Sequence, residues 1–345
     1  MIGKRKKSTI GLDIGASSIK AVEIERLGNE IHLLNYGMAP LDPETIVDGE
    51  IMDRQMVVET IQNLMESSGF KRKRIVAGIH GRGVIVKKIV MERLAEEDAS
   101  EAIYWEAEQH VPYDINDVSL DFEILGVDMG PKQMQVLLVA AKRDLILSLA
   151  EIIREAGLTP EAVDVNSFAV QNVVETSHDL RPEEVAALLD VGAEITNVNI
   201  IRDGIPLYTQ DITIGVNNIV RMAQKRHQVS REEALEELQS PTGKVDVRPL
   251  MESFCKDLSH SLDKSASYLK TSGEAEQIDR IFLSGGAPRI AGFVEVLSEA
   301  QPLPVEVVNP LRRLQYAPEL FAGVDPERVA PQLTVGVGLA LRKGA

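Results

Sequence analysis

The sequence predicts a mixed α/β protein made of two similar halves. Its 345 residues are more than one small core needs and suit two domains of ordinary size. Segments with the alternation of strands are interspersed with segments of helical periodicity. One pattern also occurs twice, because residues 10–24 (IGLDIGASSIKAVEI) and residues 187–201 (ALLDVGAEITNVNII) each contain an apolar strand, an Asp-x-Gly turn and a second strand. This repeat predicts two domains that face one another.

The composition is that of a soluble globular protein, with 44% apolar and 26% charged residues. The net charge of −16 argues against nucleic-acid binding, because phosphate contacts are made with Lys and Arg. Apolar runs such as residues 136–141 are far shorter than the about 20 residues of a membrane-spanning helix. No signal-peptide stretch follows the basic residues 4–7, so we expect a cytoplasmic protein. That basic cluster predicts either a solvated terminus or a contact with anionic lipid.

Common catalytic and metal-binding motifs are absent from the sequence. The six histidines lack metal-ligand spacing, and neither HExxH nor GxSxG occurs. Residues 241–244 (PTGK) resemble the end of a P-loop, but the required earlier glycine and the following Ser or Thr are missing, which excludes this motif. Cys255 is the only cysteine, so no intrachain disulfide can form, and we expect a structural thiol.

The two Asp-x-Gly hairpins have the chemistry to hold a polyphosphate. Glycine in the turn lets backbone N–H groups approach phosphate oxygens, since no Cβ intervenes. Asp13 and Asp190 stand beside the two turns, and a carboxylate there can hold Mg²⁺, usually through its waters. A single such hairpin could be any tight turn. The pair predicts two loops that clamp a polyphosphate from both sides.

A third element is the stretch at residues 281–293, which reads as a buried strand, a Gly-Gly turn and the start of a helix. Glycines at a strand-to-helix junction let a flat ring or a phosphate approach the backbone. A tight turn with no ligand would use the same residues. The order of two Asp-x-Gly hairpins followed by this turn nevertheless resembles the actin, Hsp70 and sugar-kinase superfamily.

That resemblance implies an actin-like (ribonuclease H-like) fold of two domains, with ATP and Mg²⁺ in the cleft between them. Residues 333–341 resemble the superfamily's final small-residue helix, which crosses between the domains. The implied organisation has five parts. They are subdomain 1A at 1–82, an inserted 1C subdomain at 83–163, a return to 1A at 164–187, domain 2 at 188–330, and a C-terminal helix returning to 1A at 331–345.

The resemblance also implies roles for individual residues. Asp13 and Asp190 would face Mg²⁺, and the first phosphate loop would consist of Gly15, Ala16, Ser17, Ser18 and Lys20. Gly192 and Thr196 would form the second loop, Gly285, Gly286 and Ala287 would line the adenosine pocket with Arg289 over the ring, and Lys225 and Glu233 would hold ribose and adenine. Asn166 and Gln171 are the candidates for orienting an attacking water, and we expect slow hydrolysis of ATP or none.

Three of these side chains have a second interpretation that the residues leave open. Lys20 could be an exposed lysine on a strand rather than a phosphate ligand. Lys225 and Glu233 could belong to a solvated helix face rather than to a nucleotide pocket.

The branch of the superfamily is indicated by the insert. Its predicted order of strand, helix, strand, strand and helix resembles the 1C subdomain of the FtsA-like branch. Residues 106–114 (EAEQHVPYD), residues 121–123 (DFE) and the opening GLDIGASSIKAVEI are similar to the PilM family of type IV pilus proteins. Residues 342–345 do not form the amphipathic helix by which FtsA proteins anchor themselves to the membrane, which favours the PilM family.

The PilM resemblance implies a scaffold of the inner-membrane pilus platform. Its partner would be PilN, whose cytoplasmic N-terminal peptide would enter a groove between 1A and 1C, near residues 79–88 and the 1C strands. The protein would reach the membrane only through PilN, would form a ring of identical copies, and would link PilN to the motor ATPases. Two alternatives remain, a filament-forming protein like FtsA or MreB and a small-molecule kinase of the same superfamily.

Overall fold

The computed structural model describes residues 8–126 and 130–342 of the chain. The basic cluster at residues 4–7 lies outside the described residues. Two sheets of five strands form the two halves, and a third sheet of three strands belongs to the insert. A pair of helices lies between the two larger sheets.

The first sheet is built on the predicted hairpin. β1 pairs antiparallel with β2 and parallel with β6, and the strand order is β10-β6-β1-β2-β3. Helices α1 and α3 bury their apolar residues against one face of this sheet, in a core that includes Ile10 and Leu12. The elements are β1 (Ser8–Ile14), β2 (Ser18–Leu27), β3 (Glu30–Pro40), the short strands β4 (Ile46–Val47) and β5 (Glu50–Ile51), α1 (Arg54–Ser67), β6 (Arg74–Ile79), α3 (Arg143–Glu155) and β10 (Thr159–Val165).

The second sheet repeats the arrangement of the first. Its order, β13-β12-β11-β14-β15, has an antiparallel hairpin β11–β12 and a parallel neighbour β14 on the other side of β11. The prediction of two similar halves is therefore confirmed. The elements are β11 (Val185–Val191), β12 (Thr196–Arg202), β13 (Ile205–Ile212), α5 (Val216–His227), α6 (Arg231–Gln239), α7 (Arg248–Thr271), β14 (Arg280–Gly285), α8 (Phe293–Ala300), β15 (Val305–Val307) and α9 (Pro326–Val329). Cys255 of α7 lies in this core, where burial raises the pKa of its thiol to about 12, as expected of a structural residue.

Helices α4 (Asn166–Ser177) and α10 (Thr334–Ala340) join the halves. Their apolar residues share one core with Val22 and Val76 of the first sheet and with Leu188 and Phe282 of the second. Because both sheets rest on the same two helices, the position of these helices fixes the width of the cleft between the halves.

The insert is a separate small layer. β7 (Val84–Glu92), β8 (Val118–Leu125) and β9 (Gln133–Lys142) form an antiparallel sheet in the order β7-β9-β8, covered by α2 (Glu96–His110). The predicted order of strand, helix, strand, strand and helix is present. The final helix, α3, packs on the first sheet rather than on the insert, because its apolar stripe (Leu149, Ile152 and Ile153) faces the core around Ile10. The inserted layer thus ends near residue 142, earlier than the expected boundary at 163.

Candidate functional site

A cavity of about 490 Å³ lies in the cleft between the two large sheets. Both hairpin turns, the Gly-Gly turn, the start of α4 and one face of α6 contribute to its walls. The three glycine-containing elements singled out in the sequence therefore meet at one place.

The first hairpin forms one wall of the cavity. Asp13 at the end of β1 is opposite Lys20 on β2, and Lys20 Nζ lies 3.0 Å from Asp13 Oδ2. The side chain of Lys20 is only 12% exposed, so it is not a solvated strand lysine. The turn closes by a 3.2 Å hydrogen bond from the Gly15 N–H to the carbonyl of Ser18, and the intervening Ala16 and Ser17 also line the cavity.

The second hairpin forms the facing wall and is braced by the start of α5. The Gly192 N–H donates to the Ile195 carbonyl at 3.0 Å, and the Val216 N–H donates to the Gly192 carbonyl at 3.0 Å. Thr196 differs from its predicted role, since it is fully buried and its hydroxyl donates to the Ile214 carbonyl at 2.8 Å. That hydrogen bond fixes the start of β12 and keeps the hydroxyl out of the cavity.

Asp190 has an unusual electrostatic environment. Burial raises its pKa to about 6, and the nearby carboxylate of Asp13 adds to the rise. A 2.8 Å hydrogen bond from the Ser284 hydroxyl to Asp190 Oδ1 and the charges of Lys20 and His80 act in the opposite direction. Two carboxylates facing one cavity, one of them costly to ionise, suit a bound cation.

The donor set defines how such a cation could be held. Within residues 8–126 and 130–342, no group of three or more His, Cys, Asp and Glu side chains is arranged around a metal position. Asp13 and Asp190 would therefore supply only part of the coordination of the cation, and water and ligand oxygens would supply the rest. This fits Mg²⁺, which gives up its waters reluctantly.

The Gly-Gly turn closes the other end of the cavity. Gly285 has a φ of +87°, and a Cβ there would lie 2.5 Å from the Val191 carbonyl oxygen, so a side chain is excluded on both counts. Gly286 and Arg289 line the cavity, whereas Ala287 is fully buried behind it. Arg289 Nη1 donates to Gln332 Oε1 at 2.8 Å, and burial lowers the pKa of this guanidinium.

The predicted ribose and adenine ligands do not line the cavity. Lys225 is exposed on α5, and Glu233 is exposed and accepts a 2.8 Å hydrogen bond from the Ser230 N–H in the cap of α6. The face of α6 that does enter the cavity carries Arg231, Leu235, Leu238 and Gln239, with Ile290 beside it. Their three- and four-residue spacing within α6 is the sequence signal that could have identified them.

The two candidates for orienting water have different positions. Asn166, the first residue of α4, is 5% exposed and lines the cavity, and its Oδ1 has no hydrogen-bond partner among the described residues. Gln171 lies one turn further along α4 and is bonded to Glu175, the Gly204 carbonyl and Asn199, away from the cavity. Of the two candidates, only Asn166 lines the cavity, and its Oδ1 lies against Gly78, where a Cβ would come within 1.9 Å of it.

A second cavity, of about 610 Å³, lies between the insert and the first sheet. We call it the 1A–1C groove. Its walls are β8, the adjoining part of β9, α3 and β10. Strand β8 is an edge of the insert sheet and β10 an edge of the first sheet, so two sheet edges face the groove. At its end, Arg342 Nε lies 3.1 Å from Asp164 Oδ2, and burial raises the pKa of that aspartate.

The predicted position of this groove is only partly matched. Of residues 79–88, Ile79 lines the groove. At the other end of that stretch, Lys88 instead forms an ion pair with Glu274 of the second half, and the Gly81 N–H donates to Asp211. This segment is thus a contact between the insert and domain 2.

Comparisons with known proteins agree with this architecture. The family model of type IV pilus assembly protein PilM matches residues 11–344. The cell division protein FtsA of Enterococcus hirae is 22% identical over 87% of this chain and 78% of its own length, and FtsA of Borreliella burgdorferi is 22% identical over 97% and 90%. No helix among the described residues has the length and apolarity to cross a bilayer.

Solved structures give the same picture. The PilM-PilN type IV pilus biogenesis complex has a TM-score of 0.85 and 26% identity, covering 98% of both chains. MreB5 of Spiroplasma citri bound to ADP has a TM-score of 0.52 and 10% identity over 96% of this chain and 94% of its own, which supports the actin-like fold alone. Since the family model spans nearly the whole sequence, this chain belongs to the PilM family of type IV pilus assembly proteins.

Proposed function

We propose that this protein is a cytoplasmic ATP-binding scaffold of the type IV pilus platform that binds the N-terminal peptide of PilN in the 1A–1C groove. The observation that carries the proposal is the groove itself. It lies between two sheet edges, in a chain that resembles the PilM-PilN complex over its whole length. An exposed strand edge binds an extended peptide through main-chain hydrogen bonds, and neighbouring pockets select its side chains.

The cleft supports the nucleotide part of the proposal. Asp13 and Asp190 would hold Mg²⁺ through water, Lys20 and the N–H groups of the first turn would bind phosphate oxygens, and Arg289 would lie at the adenosine end. Mg²⁺ would neutralise the polyphosphate. Of the two residues predicted to orient a water, only Asn166 lines the cavity, and an amide is not a general base, so slow hydrolysis or none is the expected activity.

The two sites lie back to back. Asp164 and Val165 at the end of β10 line the 1A–1C groove, and the next residue, Asn166, lines the nucleotide cavity. We therefore propose that the affinity for the peptide depends on the nucleotide. A ring of copies and contacts with the motor ATPases are further proposals that rest on the family alone.

The proposal is tested by titrating the purified protein with a synthetic PilN N-terminal peptide, with and without Mg-ATP. We expect the peptide to bind at one site with micromolar affinity, and its affinity to differ with and without Mg-ATP. Coupling between two sites is reciprocal, so the nucleotide changes the affinity for the peptide by the same factor as the peptide changes the affinity for the nucleotide. Equal affinities would remove the nucleotide switch. No peptide binding by a protein that still binds ATP would reject the pilus scaffold and favour an FtsA-like filament protein, which polymer growth would reveal.

A groove variant gives a second prediction. Ser119→Arg introduces a long charged side chain into the 1A–1C groove from an exposed position on β8, and we expect at least about a tenfold loss of peptide affinity with unchanged ATP affinity. The matched control is Ala300→Arg at the exposed end of α8, which should leave peptide binding unchanged. Isothermal calorimetry measures both. Equal peptide affinities of the two variants would place the binding site elsewhere.

A further inference from the structure

The 1A–1C groove has largely apolar walls with charged side chains of both signs. Among the described residues that line it, four are acidic and two are basic, and all of the others except Ser119 are apolar. The charged ones are Asp121, Glu123, Glu161, Asp164, Arg154 and Arg342. A peptide that fits such a groove needs apolar side chains for the walls, and its charges must complement those that the groove leaves unpaired.

Two of the acidic side chains, both on β10, pair with arginines. Asp164 Oδ2 lies 3.1 Å from Arg342 Nε, and Glu161 pairs with Arg74 of β6. The charge of Asp164 is nevertheless not fully compensated. Its side chain is only 16% exposed, and burial raises its pKa, although Arg342 and a 2.8 Å hydrogen bond from the Val165 N–H act in the opposite direction.

The wall formed by β8 adds further negative charge. Asp121 and Glu123 are exposed and lie on one face of the strand, while Phe122 between them packs against the core of the insert. Neither carboxylate has an ion-pair partner within residues 8–126 and 130–342, and Arg154 is the only basic side chain of the lining without one there. The charge of Asp121 adds to the rise in the pKa of Asp164, so the two carboxylates act on each other across the groove.

We propose that the peptide bound in the 1A–1C groove carries a Lys or Arg side chain that lies between Asp121 and Asp164, among apolar side chains that contact the walls. The inference rests on the proposed function, because it takes the groove as the peptide site. A cation at this position interacts with two carboxylates at once, and the peptide excludes water, which strengthens both interactions. An acidic side chain there would be repelled by both carboxylates, so the groove also selects against peptides of the opposite charge.

Calorimetry of the full-length protein with peptides that differ in one basic residue tests this inference. In a synthetic PilN N-terminal peptide, each Lys or Arg is replaced in turn by norleucine, which keeps an apolar stem and removes the charge. We expect one of these replacements to weaken binding to the parent protein by about tenfold. With the Asp121→Asn protein, the same replacement should weaken binding only about threefold, because one of the two carboxylates is already absent.

Asp98→Asn is the matched control, because Asp98 is exposed on α2, which covers the opposite face of the insert sheet. It should leave the effect of every peptide replacement as it is in the parent. Asparagine at position 121 keeps an oxygen for the 2.9 Å hydrogen bond from the Phe122 N–H, so the Asp121→Asn protein should fold normally.

Two results would overturn the cation pocket. One is a peptide that binds the parent although none of its basic residues contributes to affinity. The other is a replacement that weakens binding equally in the parent and in Asp121→Asn. A parent protein that does not bind the unmodified peptide would reject the groove as the peptide site, and the inference with it. That failure is visible before any charge is changed.

Discussion

Replacing Gly338 with alanine is expected to destabilise the protein by about 3 kcal/mol or more, because the new methyl group would overlap backbone atoms. A Cβ at this position would lie 1.9 Å from the Ala169 carbonyl oxygen and 2.4 Å from its carbon. These atoms belong to α4, whose backbone cannot move aside as a flexible side chain can. Since α4 and α10 carry the core shared by both sheets, a shift of either helix disturbs both halves.

Urea denaturation followed by circular dichroism measures this effect. The matched control is Gly126→Ala, because a Cβ there meets no atom of the described residues within 4 Å beyond its chain neighbours, and the glycine has no positive φ. That control should change the free energy of unfolding by less than about 0.5 kcal/mol. A Gly338→Ala protein with the same urea midpoint as the parent would show that α10 does not pack as closely as the structure indicates.

Close backbone contacts of this kind explain the two glycines of the final helix. Gly11 of β1 and Gly336 of α10 also approach each other closely, and a Cβ on Gly11 would lie 2.0 Å from the Gly336 carbonyl oxygen. Small residues at 333–341 were visible in the sequence, and they predicted a helix that crosses between domains. These residues are small because β1, α4 and α10 pack backbone to backbone. Those contacts join residues far apart in the chain, so the sequence pattern did not reveal them.

Local patterns predicted the parts of the site that are made locally. Each hairpin turn is formed by neighbours in sequence, so the Asp-x-Gly repeat was sufficient to predict Asp13, Asp190 and Gly192 at one cavity. Lys225 and Glu233 were predicted from the resemblance, which calls for a Lys and a Glu in this region but does not tell which face of a helix turns inward. The apolar spacing of Leu235 and Leu238 marks the inward face of α6.

Sequence patterns could not predict the residues that reach the cavity through the pairing of strands far apart in the chain. His80 belongs to no motif and reaches the cavity because β6 pairs with β1 and β10 in one particular alignment. Thr196 does not line the cavity for a related reason. It pairs with Val191 at the turn end of β11 and β12, and its side chain is buried inside the protein. A short sequence distance from a turn does not decide on which side of a strand a hydroxyl lies.

Replacing Asp190 with asparagine is expected to have opposite effects on ligand binding and on stability. The loss of one of two carboxylates facing the proposed Mg²⁺ should weaken Mg-ATP binding by about a hundredfold, as calorimetry would measure. Asparagine has nearly the same shape as aspartate and keeps an oxygen for the 2.8 Å hydrogen bond from Ser284. The change therefore removes the charge with little disturbance of packing.

Without Mg²⁺ and nucleotide, the same variant should be more stable than the parent at neutral pH. The pKa of Asp190 is about 6 in the folded protein, compared with about 3.9 in an unfolded chain, so the folded state holds this proton more tightly. Stability contributed by the protonated form is present below pH 4 and is lost as the pH rises through 6. Two pH units correspond to about 3 kcal/mol, the upper limit of what Asp190→Asn should recover at pH 7 and above.

Urea denaturation of parent and variant at pH 4 and pH 7.5 separates charge from packing. The difference in unfolding free energy should be small at pH 4 and should favour Asp190→Asn at pH 7.5. Asp13→Asn provides the contrast, because it leaves the nearly buried Lys20 without its ion-pair partner and should lower stability at pH 7.5. If Asp190→Asn were the less stable protein at pH 7.5, the ionised carboxylate would be stabilising the fold. Its place in the cleft would then be explained without any bound cation.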